Sequence, residues 1–259
     1  MKYLEKFRLD KKTAFILGGS GLIGSEIVKA IHEAGAKVIV LEKNFSKSQN
    51  FQEKNVEYEK FDVSFPSKIE VQYKKLQKKY GTPDIFVNSS YPKSDDWKLN
   101  SFEKIKYKSF AQNLKIHLNS FSWFAKIIAD SMVKSKKKGT IIQLSSIYGV
   151  VGQDLSIYLG TDMKESMSYS VIKGGVNNLT RQMASFYGRF NIRINSLCPG
   201  GVRDTNQNKI FIKAYNKKVP LKRLAKPSEI AMAALFLSSD ASSYITGTMF
   251  MVDGGWTAI

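Results

Sequence analysis

A glycine-rich segment near the N-terminus limits most strongly what this chain can fold into. From Leu17 to Gly24 the sequence reads LGGSGLIG, which contains the spacing G-x-G-x-x-G. An apolar run at Thr13–Leu17 precedes it and a helical pattern at Ser25–Ala34 follows it. Glycines in this context let the backbone turn tightly and approach a pyrophosphate, whose charge meets free amides at the helix start. The segment therefore predicts a strand, a phosphate-binding turn and a helix; a glycine-rich turn without a ligand is the alternative.

The rest of the chain alternates short apolar runs with helical patterns. Further strands are predicted at Lys37–Leu41, Val56–Phe61, Asp84–Asn88, Thr140–Leu144, Arg193–Leu197 and Met249–Val252. Further helices are predicted at Ser67–Tyr80, Ser109–Lys134, Tyr169–Tyr187 and Ser228–Leu237. This alternation favours an α/β fold with one doubly wound parallel sheet, helices on both faces and ligands at the carboxyl ends of the strands. No repeat or linker divides the chain, so one domain over residues 1–259 is expected.

Composition excludes several classes of protein. The single cysteine, Cys198, cannot form an internal disulfide and is interpreted as a packing residue. The two histidines, His32 and His117, lie far apart, so no metal site is predicted, and His117 is interpreted as structural. No apolar run reaches membrane-spanning length, and the N-terminus lacks the apolar core of a secretory signal. These features predict a cytoplasmic protein without a membrane partner.

The net charge of +18 comes from 40 basic and 22 acidic residues. Only six of the basic residues are arginines, and the lysines are spread along the chain. Base recognition in nucleic acids depends largely on arginine. The excess is therefore interpreted as a solvated lysine-rich surface that attracts small anionic molecules, and no nucleic-acid partner is predicted.

An acidic residue follows the second predicted strand. Glu42 lies 24 residues after Gly18, near the distance at which an acid contacts the adenosine ribose. Its carboxylate would accept hydrogen bonds from the ribose hydroxyls and repel a 2′-phosphate, which favours NAD as the cofactor. Lys43 follows at once and would attract a 2′-phosphate, so NADP stays an alternative. A solvated acid on a loop is the other interpretation.

Several short motifs follow one another in a fixed order. They are Gly18–Gly24, Asp62-Val63, Asp84–Asn88, Asn119, Ser145-Ser146, Tyr169 with Lys173, Pro199-Gly200, Tyr244–Gly247 and Val252–Gly255. With these motifs the chain resembles a short-chain dehydrogenase/reductase of the small single-domain kind over almost its full length. The resemblance implies a Rossmann-type fold, an NAD(P)-dependent oxidoreductase and a homo-oligomer, either a tetramer or a dimer.

The resemblance, together with the glycine segment and Glu42, gives two sets of candidate residues. The catalytic set is Asn119, Ser146, Tyr169 and Lys173. The cofactor set is Gly18, Ser20, Gly21, Leu22, Ile23, Gly24, Glu42, Lys43, Asp62, Val63, Asn88, Tyr169, Lys173, Pro199, Gly200 and Val202. In the second set, Asp62 and Val63 would hold the adenine, and Asn88 would close the cofactor channel. Pro199, Gly200 and Val202 would line the nicotinamide.

Proton transfer explains the residue types of the catalytic set. Tyrosine has a pKa of about 10, and lowering it by about three units requires roughly 4 kcal/mol of differential stabilisation. A Lys173 cation one helical turn away, with the positive nicotinamide ring, would favour the phenolate and make Tyr169 a general acid/base. Ser146 would donate a hydrogen bond to the substrate oxygen. Asn119 would hold a water molecule that leads from Lys173 to solvent.

The chain departs from the family pattern in three places. The fourth strand is followed by Asn88-Ser89-Ser90-Tyr91-Pro92 where the family usually has Asn-Asn-Ala-Gly, which stiffens the loop and puts an aromatic ring near the cofactor. Leu22 stands where the family commonly has glycine, as in the larger sugar-nucleotide epimerases and dehydratases, but the chain is too short for their substrate domain. The third departure is a long segment between Ser146 and Tyr169.

That segment predicts a substrate-loop insertion at about residues 150–166. It is rich in hydroxyl groups, and we expect Asp154, Asp162 or Glu165 to bind sugar hydroxyls or an amino group; a plain surface insertion is the alternative. Together with the sequence after the fourth strand, it resembles oxidoreductases of bacterial surface-sugar pathways, such as nonulosonic (legionaminic-type) acid synthesis and flagellin modification. The prediction is hydride transfer between NAD(P) and a secondary alcohol or ketone of a sugar-like metabolite. The alternatives are an epimerase or dehydratase that retains its NAD, and a non-catalytic nucleotide sensor.

Overall fold

Seven parallel strands form one sheet at the centre of the molecule. The computed structural model describes residues 2–44 and 53–259. The strands are β1 Thr13–Leu17, β2 Lys37–Glu42, β3 Val56–Lys60, β4 Ile85–Asn88, β5 Gly139–Leu144, β6 Ile192–Pro199 and β7 Met249–Val252. Their order across the sheet is β3-β2-β1-β4-β5-β6-β7. The strand order reverses between β1 and β4, which places a crevice outside the carboxyl ends of these two strands.

Helices cover both faces of the sheet. They are α1 Leu22–Glu33, α2 Ile69–Tyr80, α3 Tyr107–Asn113, α4 Asn119–Lys134, α5 Met167–Tyr187, α6 Lys209–Lys218 and α7 Pro227–Ser238. Alternate residues of β1 serve the two faces, as the strand period of two requires. Ala14 and Ile16 pack in the apolar core under α1 and α7. Phe15 and Leu17 pack in the core under α2, α4 and α5.

The predicted fold class is confirmed: the sheet is parallel, doubly wound and covered on both faces. The predicted strands agree with the observed ones to within about two residues at each end. The helix predicted over Ser109–Lys134 is instead α3, a π turn at Leu114–Leu118 and α4. In this π turn the amide of Asn119 donates to the carbonyl of Leu114, five residues back. The extra residue changes which side chains face the sheet after it.

One helix of the structure was not predicted. In α6, Phe211 and Tyr215 are buried among lysines, so the apolar pattern is sparse. These two side chains pack against Ile157, which lies in a short 3₁₀ turn at Leu155–Tyr158. The segment before α5 is thus joined to α6 by a small apolar core of its own. Among the described residues, no helix is both long and apolar enough to cross a bilayer.

Candidate active site

A cleft of about 740 Å³ lies at the carboxyl ends of the strands. Every residue of the predicted cofactor set except Asn88 lines it. Asn88 is fully buried at the end of β4, and its Oδ1 accepts a hydrogen bond from Ser90 Oγ at 2.8 Å. Asn88 therefore orders the loop that forms one wall of the cleft. Within the described residues, no group of three or more His, Cys, Asp or Glu side chains is arranged to hold a metal ion.

The glycine segment forms a close-packed turn at one end of the cleft. Gly18 has φ +79°, and a Cβ there would lie 2.6 Å from the backbone nitrogen of Ser90. A Cβ on Gly24 would lie 2.0 Å from the carbonyl oxygen of Gly18. Helix α1 begins directly after Gly21, which provides no side-chain cap. The first amides of α1 therefore face the cleft side of the turn without intrahelical partners.

A buried hydroxyl supports the fit of a ligand to this turn. Ser20 Oγ is buried and has no hydrogen-bond partner among the described protein atoms. A buried hydroxyl is normally paired. This hydroxyl, the uncapped start of α1 and the two crowded glycines together match the requirements of a pyrophosphate.

Glu42 ends β2 beside the glycine turn. Its Oε1 accepts a hydrogen bond from the amide of Ser20 at 2.7 Å, and partial burial raises the pKa of its carboxyl. Lys43 Nζ lies 3.7 Å from Asp62 Oδ2, across the cleft end. Partial burial raises the pKa of Asp62, but hydrogen bonds from Ser64 and the charge of Lys43 outweigh it and leave that pKa below its usual value. The carboxylate of Glu42 and the amine of Lys43 thus both line the end of the cleft where the ribose of a dinucleotide would lie.

Ser146, Tyr169 and Lys173 meet at the other end of the cleft. Ser146 follows β5, is buried, and hydrogen-bonds with Tyr169. Tyr169 lies in the first turn of α5, where its amide donates to Ser166 Oγ at 3.3 Å. Lys173 is one turn further along the same face, and its Nζ lies 5.6 Å from the centroid of the Tyr169 ring. The structure therefore brings together three of the four residues of the predicted catalytic set.

Burial dominates the electrostatics of this group. Lys173 is only 3% exposed, and its Nζ donates to the carbonyl oxygen of Leu144 at 2.8 Å. Burial lowers the pKa of Lys173 to about 7. Burial raises the pKa of Tyr169, and the hydrogen bond with Ser146 offsets part of that increase. Burial therefore moves the two pKa values apart and favours the neutral amine of Lys173 and the neutral phenol of Tyr169.

Asn119 is the member of the catalytic set that the structure does not bring to the others. It is exposed at the start of α4 and does not line the cleft. His117, two residues earlier in the π turn, is fully buried. The centroid of its ring lies 5.4 Å from that of Tyr91. Residues two apart on a helix point in nearly opposite directions, so only one of these side chains can face the site.

Three aromatic rings lie around Tyr169. The ring centroids of Tyr91, Trp97 and Tyr148 lie 5.8, 6.4 and 6.4 Å from that of Tyr169, all edge to face. Tyr91 lines the cleft, as its place in the loop after β4 led us to expect. Trp97 and Tyr148 were not identified from the sequence. The one sequence feature that points to them is their position shortly after the carboxyl end of a strand, β4 for Trp97 and β5 for Tyr148.

The acids of the segment before α5 contact protein groups rather than the cleft. Asp154 accepts hydrogen bonds from Ser156 and pairs with Lys218 Nζ at 3.0 Å. Glu165 accepts a hydrogen bond from the amide of Phe102 at 3.1 Å. Asp162 is exposed. None of the three lines the cleft, so the geometry gives no support to their predicted contact with a sugar.

Comparisons with known proteins agree over nearly the whole chain. The family model described as enoyl-(acyl carrier protein) reductase matches residues 20–257. A post-translational flagellin modification protein A from Campylobacter coli is 33% identical over 96% of this chain and 99% of its own length. A 3-oxoacyl-[acyl-carrier-protein] reductase from Chlamydia muridarum is 32% identical over 95% of this chain and 98% of its own.

A solved structure supports the same assignment. The crystal structure of a short-chain dehydrogenase from Leptospira borgpetersenii with bound NAD⁺ superimposes with a TM-score of 0.88 at 29% identity, and the match covers 99% of this chain and 96% of that one. Fold, sequence and the order of the motifs thus agree. The chain belongs to the short-chain dehydrogenase/reductase family of oxidoreductases.

Proposed function

We propose that this oxidoreductase moves a hydride between NAD(P) and a secondary alcohol or ketone of a sugar-like metabolite, with Tyr169 as general acid/base. The observation that carries the proposal is the meeting of Ser146, Tyr169 and Lys173 in the cleft that all but one of the predicted cofactor residues line. A dinucleotide lying along this cleft would have its pyrophosphate on the turn at Gly18–Gly24 and its nicotinamide near Pro199.

Different residues of the cleft would bind different parts of the dinucleotide. The amides at the start of α1 would bind the pyrophosphate, Glu42 would bind the ribose hydroxyls, and Asp62 with Val63 would hold the adenine. The backbone from Pro199 to Val202 would hold the nicotinamide beside Tyr169. When bound, the nicotinamide supplies or accepts the hydride, and the protein is left with the proton.

Tyr169 is suited to move that proton. Burial raises the pKa of Tyr169, so the protein around it favours the phenol, which is the form that donates a proton to a carbonyl oxygen during reduction. In the opposite direction the phenolate is required, and a Lys173 cation at this distance favours it. With a pKa of about 7, Lys173 has both its charged and its neutral form available near neutral pH. Ser146 would donate a hydrogen bond to the same substrate oxygen and orient it.

The aromatic rings around Tyr169 favour a substrate with an apolar face and polar edges. Tyr91, Trp97 and Tyr148 each offer a flat apolar surface, and two of them carry a hydroxyl group. A sugar ring presents C–H groups to such a surface and hydroxyls at its rim. Lys93 also lines the cleft and would favour an anionic substituent on the substrate. The similarity to a galactitol 2-dehydrogenase from Rhizobium johnstonii, 28% identical over 99% of this chain, supports the same substrate class.

The decisive experiment is a substrate screen that follows nicotinamide absorbance with the purified protein. Sugars, amino sugars and sugar nucleotides are tested with NAD and with NADP, and 3-oxoacyl thioesters are tested beside them because of the reductase relative. Turnover with a sugar and not with a thioester supports the proposal. An epimerase or dehydratase would convert the sugar without net nicotinamide reduction, and a sensor would bind the nucleotide without converting anything.

Two neighbouring variants test the choice between NAD and NADP. Glu42→Gln is expected to raise the KM for NAD by about tenfold, since hydrogen bonds to a charged acceptor contribute about 1.5–3 kcal/mol and only part of that is lost with the amide. Lys43→Ala is expected to weaken binding of NADP more than binding of NAD, because only NADP carries a 2′-phosphate on the adenosine ribose for this cation to bind. Glu33→Gln, on the exposed end of α1, is the control. An unchanged ratio of the two KM values in both variants would contradict the assigned positions.

Removal of the Trp97 ring tests the substrate side of the site. Trp97→Ala is expected to raise the KM for the sugar substrate by about two- to tenfold, since the C–H groups of the sugar would lose the apolar ring surface against which they pack. The KM for the nicotinamide cofactor should stay near the parental value because Trp97 does not line the cofactor cleft. Tyr107→Ala removes an aromatic ring that is 85% exposed and serves as the control. Equal effects of both variants on the substrate would contradict a role for Trp97.

A further inference from the structure

His117 is a buried titratable side chain that the proposed mechanism does not yet use. It is fully buried, and neither Nδ1 nor Nε2 has a hydrogen-bond partner among the described protein atoms. A neutral imidazole carries one donor and one acceptor, so both are left unpaired by the protein. Each unpaired buried group costs about 1–3 kcal/mol.

Two more unpaired polar atoms lie in the same layer of the molecule. Asn88 Nδ2 and Gln143 Oε1 are buried without a partner among the described residues. Asn88 and Gln143 are register partners on β4 and β5. Their side chains point to the same face as Phe86 and Ile141, two residues earlier on each strand, and that face is covered by α4 and α5.

Gln143, His117 and Lys173 each contact Phe121, in the first turn of α4. Gln143 Nε2 donates to the carbonyl oxygen of Phe121 at 3.3 Å. The ring centroid of Phe121 lies 4.9 Å from that of His117. Lys173 Nζ lies 5.0 Å from the same ring centroid. The imidazole, the lysine amine and the Gln143 amide therefore lie around one buried ring, and Asn88 lies beside Gln143 on the next strand.

A polar region of this kind holds water in folded proteins. Buried waters make about three hydrogen bonds each to polar groups that the protein leaves unpaired. Lys173 also has three N–H donors when charged, and among the described residues only the Leu144 carbonyl accepts a hydrogen bond from them. Building on the proposed function, we propose that His117 is a positioning residue that holds ordered water beside Lys173 and relays protons between that water and solvent.

The relay balances without a change in the charge of the imidazole. After Tyr169 gives its proton to a substrate carbonyl, the phenolate takes a proton from Lys173, which becomes a neutral amine. A bound water returns a proton to Lys173 and takes one from the N–H of His117. The other nitrogen of His117 takes a proton from a second water, which takes one from solvent in turn, so the imidazole ends as the opposite tautomer. In the oxidative direction each transfer is reversed.

The surroundings of His117 favour its neutral form, which such a relay requires. The titratable groups recorded around it are Tyr91, from the loop after β4, and Lys173, from α5, with Tyr169 and Cys198 beyond them. None of these supplies an acidic partner for an imidazolium. Burial and the charge of Lys173 hold the pKa of His117 well below its usual value.

Nuclear magnetic resonance tests the state of His117 without any turnover. The chain has two histidines, so the control variant His32→Asn assigns the remaining ring signals to His117. The expected result is a neutral ring below the ordinary histidine pKa of about 6.5, with ring protons that exchange magnetisation with bound water. A ring that titrates normally, or that shows no contact with water, overturns the proposal.

Turnover of His117→Phe and His117→Asn provides the second arm. Phenylalanine fills the space without binding water, and asparagine binds water without changing tautomer. Both are expected to retain cofactor affinity, to lose about tenfold or more in kcat, and to show a larger solvent isotope effect. A purely structural His117 would change the melting temperature but neither the isotope effect nor the pH profile, and that result overturns the proposal.

The outcomes separate this inference from the proposed function. A parent protein that turns over no sugar with either cofactor contradicts the proposed function. If the parent protein converts a sugar and His117→Phe has the same kcat, only the assignment of His117 is contradicted. If Asn119→Ala, and not His117→Phe, lowers kcat and raises the solvent isotope effect, the water is held by Asn119, as the family resemblance implies.

Discussion

Replacement of Tyr169 by phenylalanine is expected to lower kcat by about 10²–10⁴-fold while cofactor affinity stays near the parental value. The hydroxyl is the group that would exchange a proton with the substrate oxygen, and phenylalanine lacks it. The ring itself would remain between Tyr91, Trp97 and Tyr148, so the fold of the site should be retained. Steady-state turnover and a fluorescence titration with the cofactor measure the two quantities separately.

The matched control lies on the same helix. Tyr187 ends α5 and donates a hydrogen bond to Asp130 Oδ1 at 2.7 Å, far from the cleft lining. Tyr187→Phe should leave kcat unchanged and lower the free energy of unfolding by about 1.5–3 kcal/mol, since the lost hydrogen bond is to a charged group. Unchanged kcat in Tyr169→Phe would show that another group moves the proton and would refute the proposed mechanism at its centre.

A methyl group added at Gly24 is expected to have the second largest effect. The new Cβ in Gly24→Ala would lie 2.0 Å from the carbonyl oxygen of Gly18 and 2.9 Å from Ser89 Oγ. A backbone oxygen cannot move away as the end of a flexible side chain can, so the glycine turn must shift relative to α1. We expect a loss of about 1–3 kcal/mol of stability, the usual cost of overpacking, and at least a tenfold loss of cofactor affinity.

Gly188→Ala serves as the control for this variant. A Cβ at Gly188 meets no heavy atom within 4 Å, and its φ of −56° suits any residue. Thermal unfolding with and without NAD measures both effects, since a ligand that binds the folded state raises the melting temperature. If Gly24→Ala gains as much from NAD as Gly188→Ala does, the cofactor does not lie on this turn.

Much of the fold was predictable because it depends on near neighbours in the chain. The strands are continuous apolar runs, since both faces of the sheet are covered, and their order with the helices allows few topologies. The exception is the helix at Ser109–Lys134, where the π turn at Leu114–Leu118 interrupts a pattern that looks uniform. Such a turn depends on packing against α5, and the spacing of apolar residues in the sequence contains no information about that contact. Helix α6 escaped prediction because its buried side chains are sparse and their partners are distant in sequence.

In the candidate site, too, the features that depend on near neighbours in the chain were predictable and those that depend on tertiary packing were not. Tyr169 and Lys173 share a helical face through their spacing alone, and the glycine turn is a local strand-to-helix feature, so both were predicted and both line the cleft. Their roles in catalysis stay predictions until the variants are measured. The choice between Asn119 and His117 depends on the π turn, which decides which of them faces Lys173.

The sequence by itself determined the fold class, the family and the turn and helix that carry most of the candidate residues. These features follow from the period of apolar residues and from glycines at short, fixed distances, which act within a few residues of chain. Only the tertiary structure decided which polar side chains meet: it buried His117 beside Phe121 and left Asn119 exposed. It also gathered Trp97 and Tyr148 around Tyr169. Contacts of this kind join residues that are far apart in the chain, and they arise only when the helices pack on the sheet.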